Sequence, residues 1–318
     1  MTEKIELTEM VPDEMDGKRF DQIAAKLFTD FSRARLQEWI KSGNLTVGGR
    51  ERKTKDKLMG GELLTLQAEL VGDESYEPQD IPLDIVYEDD TLMVINKPAG
   101  LVVHPAAGNR DRTLLNGLLY HDENLAALPR AGIVHRIDKD TTGLLVIAKT
   151  LKAHHSLVKQ LQKKTVFREY EAIAAGVLTG GATVEEPIGR HPTQRVKMAV
   201  VEGGKDAVTH FRVIERFRSH THIRVQLETG RTHQIRVHLA HLRNPLLGDQ
   251  LYGRMRLPKG ADETLLEAIH GFPRQALHAR TLGLVHPETG EDMEWTTDLP
   301  EDLAAMLALL REDAEQHR

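Results

Sequence analysis

"HRIDKDTTGLLVIAKT", residues 135–150, opens on charge and closes on an apolar run. Asp138 and Asp140 lie two positions apart, interleaved with Arg136 and Lys139; Thr141, Thr142 and Gly143 follow, then Leu144 to Ala148. The apolar run reads as a buried strand. Unpaired charge at a buried strand end is costly, so this density of acids and bases needs a reason beyond a surface turn. On either side the pattern is strand-rich. "IVYEDDTLMVINKPAGLVVHP" (85–105) holds two β-branched runs around an Asp-Asp turn, the second ended by Pro98 and Gly100. "VFREYEAIAAG" (166–176), "HFRVIERF" (210–217), "HIRVQLET" (222–229) and "LHARTLGLVHP" (277–287) are strand-like, whereas "AHHSLVKQLQKK" (153–164) and "THQIRVHLAHL" (232–242) are helix-like. Short turns between strands and few, unevenly placed helices predict an α+β domain with a mixed, mainly antiparallel sheet and peripheral helices.

The chain of 318 residues has room for one large domain and a small one. It has no cysteine, which excludes a disulfide framework, a thiolate nucleophile and a thiolate zinc site. No apolar run is long enough to span a membrane, and Met1 to Met10 lack the apolar core of a secretory signal, so a cytoplasmic protein without membrane contact is expected. The net charge of −6 hides segregation. Every charged residue from Glu69 to Asp90 is acidic, and the tail after Trp295 is mostly so; bases gather in Lys18–Lys57, Arg130–Arg168 and Arg190–Arg243. Three basic blocks, with the acids moved elsewhere, favour a surface for a polyanion.

The first block reads as a small α+β unit. Phe20, Ile23, Ala24, Leu27 and Phe28 share a helical face. Ser32 is the expected N-cap of a second helix carrying Leu36, Trp39 and Ile40, with Gly43 as its stop. "NLTVGG" and "GGELLTL" follow as short strands. The acidic stretch around residues 71–80 reads as a linker, dividing the chain into 1–70 and 81–318.

Common chemistries are missing. There is no phosphate-binding glycine loop, dinucleotide fingerprint or serine-nucleophile elbow. His233, His238 and His241 fall at i, i+5, i+8, which lacks the i, i+4 pair of a helical zinc motif; contacts to RNA or beside the core are expected of them instead. Asp138 and Asp140 sit too close on one loop to flank a sugar from opposite faces.

The motifs carry a resemblance. "HRIDKDTTGLLVIAKT" resembles the signature of the RluA-type pseudouridine synthases, in which Arg-x-Asp precedes Thr-x-Gly and an apolar strand. "INKPAGLVVHP", "REYEAI" and "LETGRTHQIRVHLAH" resemble that family's upstream, tyrosine and arginine motifs, in family order. Residues 32–49, "SRARLQEWIKSGNLTVGG", resemble the S4 RNA-binding domain. The likeness is closest to the RluD-like enzymes of large-subunit ribosomal RNA; Ile137 stands where leucine is common. It implies that Asp138 is the catalytic aspartate, Arg231 the guanidinium that pairs with it, and Tyr170 the ring that stacks on the target base. It also implies that Arg136 fills the gap left by a flipped uridine. Lys139, and Arg33, Arg35 and Lys41 of the S4-like helix, are expected RNA contacts. Asp140 is left to cap its turn or bond to backbone. No cofactor or metal is expected, because uracil is released, turned and rejoined through C5 without redox change. The expected partner is ribosomal RNA, naked or in a pre-ribosomal large subunit, met by a monomer. The rival readings are a non-catalytic RNA-binding assembly factor, a synthase acting on tRNA, and a hydrolase that releases free uracil.

Overall fold

The computed structural model describes residues 3–29, 31, 33–70, 76–106 and 108–317. Two compact units form, Met1–Tyr76 and Glu77–Arg318. The linker read over 71–80 falls partly outside the described residues. Its end already belongs to the larger unit: Gln79 N–H donates to Asn116 O (3.0 Å), and Asn116 Nδ2 donates to Glu77 O (3.0 Å).

The small unit runs β1 (Glu3–Met10), α1 (Phe20–Leu27), α2 (Arg33–Lys41), β2 (Leu45–Val47) and β3 (Leu63–Leu70). Its antiparallel sheet has the order β1-β3-β2. The apolar face of α1 (Phe20, Ile23, Ala24) and that of α2 (Leu36, Trp39, Ile40) close one core with Leu45, Leu64 and Leu66. Gly43, at φ +77°, supplies the left-handed residue that ends α2. The Ser32 cap lies outside the described residues. A buried Asp21 ties the helices: it accepts two bonds from Arg19 (3.0 Å each), one from Arg33 (2.8 Å) and one from Gln37 (2.7 Å). Burial alone would raise its pKa, but the bonds from Arg33, Arg19 and Gln37 win and hold it down to about 2.

The larger unit begins with the hairpin β4 (Ile85–Glu88) and β5 (Leu92–Lys97), then α3 (Leu114–His121), β6 (Thr142–Ala148) and α4 (Leu151–Gln162). Next come β7 (Phe167–Ala175), β8 (Ala182–Glu185), a separate two-stranded hairpin of β9 (Ile188–Arg190) and β10 (Met198–Val200), then β11 (Val208–Arg216) and β12 (His220–Leu227). The chain finishes with α5 (Gln234–His241), α6 (Glu263–Gly271), β13 (Leu277–Val285), β14 (Asp292–Thr296) and α7 (Glu301–Gln316). Nine strands make one sheet, in the order β4-β5-β6-β13-β7-β12-β11-β8 with β14 on the far half of β13. Among the described residues only β6 and β13 pair in parallel, so the mixed, mainly antiparallel sheet is the one the sequence predicts.

All seven residues of β6 are buried, as an apolar run in mid-sheet requires. Leu144, Val146 and Ala148 pack with Ala153 and Leu157 of α4. The acidic tail forms α7, whose Leu303, Met306, Leu307 and Leu310 recur at helical spacing and bury against α6 and Ile173.

The parallel pairing matters for position. Parallel strands enter a sheet from the same side, so the loops leading into β6 and β13 lie together at Thr142 and His278. Register then lines up Lys97, Gly143, Ala279, Tyr170 and Val225 across five strands, on one face. Gly143 holds φ +111°, and a Cβ there would stand 2.2 Å from Ala279 O; no other residue fits that approach.

Candidate active site

The loop of residues 133–141 is fixed from three sides. Behind Asp138, Thr141 N–H donates to Asp138 O (3.1 Å) and closes a turn. From β5, the buried Lys97 Nζ donates to Lys139 O (2.8 Å), Pro98 O (2.6 Å) and Leu101 O (2.9 Å). Burial brings that ammonium's pKa down to about 7; Asp140 and Asp138 pull it up, and Arg274 pushes it further down. From the entrance of β13, Arg274 grips Asp302 through Nε (2.7 Å) and Nη2 (2.8 Å) and donates Nη1 to Asp140 O (3.1 Å), while Gln275 bonds Thr141 Oγ1 (3.0 Å). His135 accepts Val146 N–H on Nε2 (3.0 Å), and burial, helped by Arg168, lowers its pKa to about 3.

Asp138 is met by Arg236, and this corrects the sequence expectation for Arg231. Arg236 Nη1 donates to Asp138 Oδ2 (2.9 Å), while its Nε and Nη2 clasp Asp249 at 2.7 and 2.9 Å. Arg231 lies ahead of α5 and turns the other way, donating Nε to Asp206 O (2.8 Å). The reason is helix phase: Arg236 sits in the first turn of α5, on its buried side, where Asp249 fixes the fork. Burial opposes both charges, but each raises the other's preference for its ionised form, so the Arg236 pKa moves up and that of Asp249 down. Asp249 Oδ1 also accepts the N–H groups of Leu251 (2.9 Å) and Tyr252 (3.0 Å). The second oxygen of Asp138, Oδ1, makes no hydrogen bond among the described residues; His233 Nε2 stands 3.9 Å from it.

Tyr170 stands in the cross-strand row with Gly143 and is 6% exposed. Burial raises its pKa; Arg168 opposes this and the Asp138 charge adds to it, so the phenol is protonated and within the field of that carboxylate. Arg136 and Lys139 are exposed. The Asp140 carboxylate neither caps the turn nor bonds backbone among the described residues; only its carbonyl is engaged, by Arg274. His238 is buried, bonding Thr209 Oγ1 and Glu186 O at 2.9 Å each.

Beside the loop opens a cleft of about 710 Å³, lined by Arg130, Arg136, Lys164, Arg168 and Arg231, with His104, His135 and Glu228 among the rest. Five cations against one carboxylate suit an anionic ligand. Arg231 and Arg136 thus share this wall, whereas Asp138 and Tyr170 do not line it. In the small unit Arg33 is exposed but tethered to Asp21, Arg35 lies over the Trp39 ring (5.6 Å), and Lys41 is exposed.

Sequence reading missed Arg236, Asp249, Lys97 and Arg274. Arg236 stood in the quoted "RTHQIR", and Lys97 in "INKPAG"; the missing signal was the partner, 98 residues away for Arg236 and 42 for Lys97.

Comparison with known proteins gives the family. The family model for RNA pseudouridylate synthase matches residues 91–241. A protein of Pseudomonas aeruginosa named ribosomal large subunit pseudouridine synthase D is 58% identical over 316 residues, covering 99% of each chain. One of the same name from Vibrio cholerae is 56% identical, covering 100% of this chain and 99% of its own. Among solved structures, human RNA pseudouridylate synthase domain containing 4 superposes with a TM-score of 0.54 at 28% identity, over 71% of this chain and 92% of its own. With the family model matched and relatives aligned end to end, the chain belongs to the RNA pseudouridylate synthases, in their RluA-type family.

Proposed function

We propose that this enzyme isomerises uridine to pseudouridine in the RNA of the large ribosomal subunit, with Asp138 as its catalytic carboxylate. The observation that carries the reading is the half-committed state of Asp138: Oδ2 is held by Arg236 at 2.9 Å, while Oδ1 is without a hydrogen bond among the described residues. A carboxylate fixed on one oxygen and open on the other, at a protected strand entrance, suits attack on a sugar carbon or removal of a sugar proton. The reaction breaks the N1–C1′ bond and makes a C5–C1′ bond; C5 loses a proton and N1 takes one up. Tyr170, protonated and near the carboxylate, is the ring proposed to receive the uracil. Its hydroxyl lies ready to share in the proton movement once the base is flipped out of its stack.

The basic cleft beside the aspartate loop would hold phosphates flanking the target, with Arg136 and Arg231 among the contacts, and the exposed Lys139 of the same loop would add another. The S4-like small unit would add Arg33, Arg35 and Lys41. The names of the relatives support large-subunit RNA as substrate. The finer reading is a cytoplasmic monomer working without cofactor on naked RNA or on a pre-ribosomal large subunit. Incubation with large-subunit RNA, small-subunit RNA and tRNA, followed by carbodiimide-dependent reverse-transcription stops, tests it. Stops at discrete uridines of large-subunit RNA alone are expected. Stops in tRNA alone would redirect the substrate, and free uracil without pseudouridine would make the enzyme a hydrolase.

A further inference from the structure

Arg236 accounts for one oxygen of Asp138. The other faces His233, and His233 is built into the fold at some cost. It occupies the left-handed region (φ 56°, ψ 23°) just before α5, a conformation disfavoured for side chains with a Cβ. Glycine would sit there without strain, so the imidazole itself is what the position keeps.

Donor counting fixes what that ring does. Tyr252 Oη accepts the backbone N–H of Met198 (2.8 Å), and lies 2.8 Å from His233 Nδ1. The phenol is protonated, since burial, its largest influence, raises its pKa. Among the described residues Nδ1 is the one acceptor within hydrogen-bond distance of that hydroxyl, and the proton is assigned there. The neutral imidazole then carries its own proton on Nε2, the nitrogen that faces Asp138 Oδ1 at 3.9 Å. Tyr252 is also held from below. Its ring stands edge-on to His233 and lies under the Arg236 guanidinium at 5.1 Å, and its N–H is bonded to Asp249. Met198 opens β10, and the β9–β10 hairpin packs on α5 through Ile188 and Val237.

We propose that Tyr252 and His233 are positioning residues for Asp138, linking the turn end of the β9–β10 hairpin to the open side of its carboxylate. The inference rests on the reading of Asp138 as the catalytic carboxylate. In this arrangement Nε2–H limits where Oδ1 can turn, and the Tyr252 hydroxyl keeps His233 in the one tautomer that does so. Protonating His233 would place a cation against Asp138 and draw Oδ1 away from its substrate. The structure resists that. Burial lowers the His233 pKa; Arg236 on α5 and Arg136 in the aspartate loop add to this, against Asp138 and Asp249.

The test compares wild type with Tyr252→Phe, His233→Gln and the double variant, using single-turnover rate against pH and RNA Kd measured separately. Tyr252→Phe keeps the ring under Arg236 and removes only the hydroxyl. A fall of about tenfold in rate is expected, the worth of one buried hydrogen bond, with RNA Kd unchanged within about twofold. Without the O–H donor the neutral ring is less favoured, so the acid limb of the rate profile should move to higher pH. His233→Gln should be slow with no such limb, and the double variant no slower than His233→Gln alone. A Tyr252→Phe enzyme with the wild-type rate and profile overturns the proposal. So does a loss that is uniform across pH and tracks a fall in melting temperature, because that is a packing effect. Asp138→Asn run alongside separates the two readings. If it is inactive while Tyr252→Phe is normal, only the positioning role falls; if it is active, the assignment of Asp138 falls and takes this proposal with it.

Discussion

Replacing Arg236 by lysine keeps the charge and removes the planar fork. In the native site that fork makes three bonds, two to Asp249 (2.7 and 2.9 Å) and one to Asp138 (2.9 Å). An ammonium is a point donor and cannot span both carboxylates in this geometry. Each charge-assisted bond lost is worth about 1.5–3 kcal/mol. The two carboxylates feel the loss differently. The Asp138 side chain is 16% exposed, so water replaces part of what is lost; the low end applies there, about a tenfold fall in single-turnover rate. The Asp249 side chain is 0% exposed, so water cannot replace its missing bond. Its loss falls on stability, about 2–3 kcal/mol, which for a unit of this size lowers the melting temperature by about 4–12 °C. Arg236→Met should be worse, since removing one partner of a buried pair costs about 3–5 kcal/mol. Rates are read by tritium release from RNA carrying 5-tritiated uridine, and stability by calorimetry. An Arg236→Lys enzyme with native rate and native melting would refute the reasoning, because the clasp would then be dispensable.

Arg231→Ala should weaken RNA binding and reduce the salt dependence of binding by about one counterion, leaving the saturated rate unchanged; a lower saturated rate with unchanged Kd would put Arg231 back beside the chemistry. Lys97→Met should change the pH dependence of folding. The native Lys97 pKa of about 7 lies below the unfolded value of 10.5, so between those pH values the unfolded chain binds more protons and wild-type stability gains as pH rises. Denaturant melts of the Lys97→Met protein should lack that gain; equal slopes for the two proteins would show that Lys97 does not titrate there. Asp21, held down to about 2, stabilises the small unit above its unfolded pKa of 3.8, and that contribution fades as pH falls through about 2. Asp21→Asn should therefore speed amide exchange in α1 and α2 at neutral pH and flatten the acid response; native protection in the variant would count against the buried clasp.

The sheet was legible where burial is two-sided and local. Leu144–Ala148 reads as a strand because every position is covered, and α1 because Phe20, Ile23 and Ala24 face one core. What sequence could not show is order across the sheet. Nothing in Leu277–Val285 says that it slots between β6 and β7 in parallel with the former, yet that choice brings Arg274 onto the aspartate loop. The same limit explains the exchange of arginines. Arg231 and Arg236 share one motif, and only the phase of α5 and the distant Asp249 decide which reaches Asp138. The charge ahead of a fully buried strand marks the aspartate loop as unusual, but the choice of Asp138 over Asp140 rests on the resemblance to the RluA-type family. The tail after Trp295 was read by its acids, and its buried Leu303, Met306, Leu307 and Leu310 went unread.

The central claim is that one carboxylate, Asp138, carries the isomerisation. The direct measurement is tritium release from large-subunit RNA labelled at uridine C5, with wild-type enzyme and Asp138→Asn at equal, saturating RNA occupancy. Release by the wild type is expected to be matched by new pseudouridine, and none is expected from Asp138→Asn although it binds the RNA as well. Release by Asp138→Asn at the wild-type rate would contradict it.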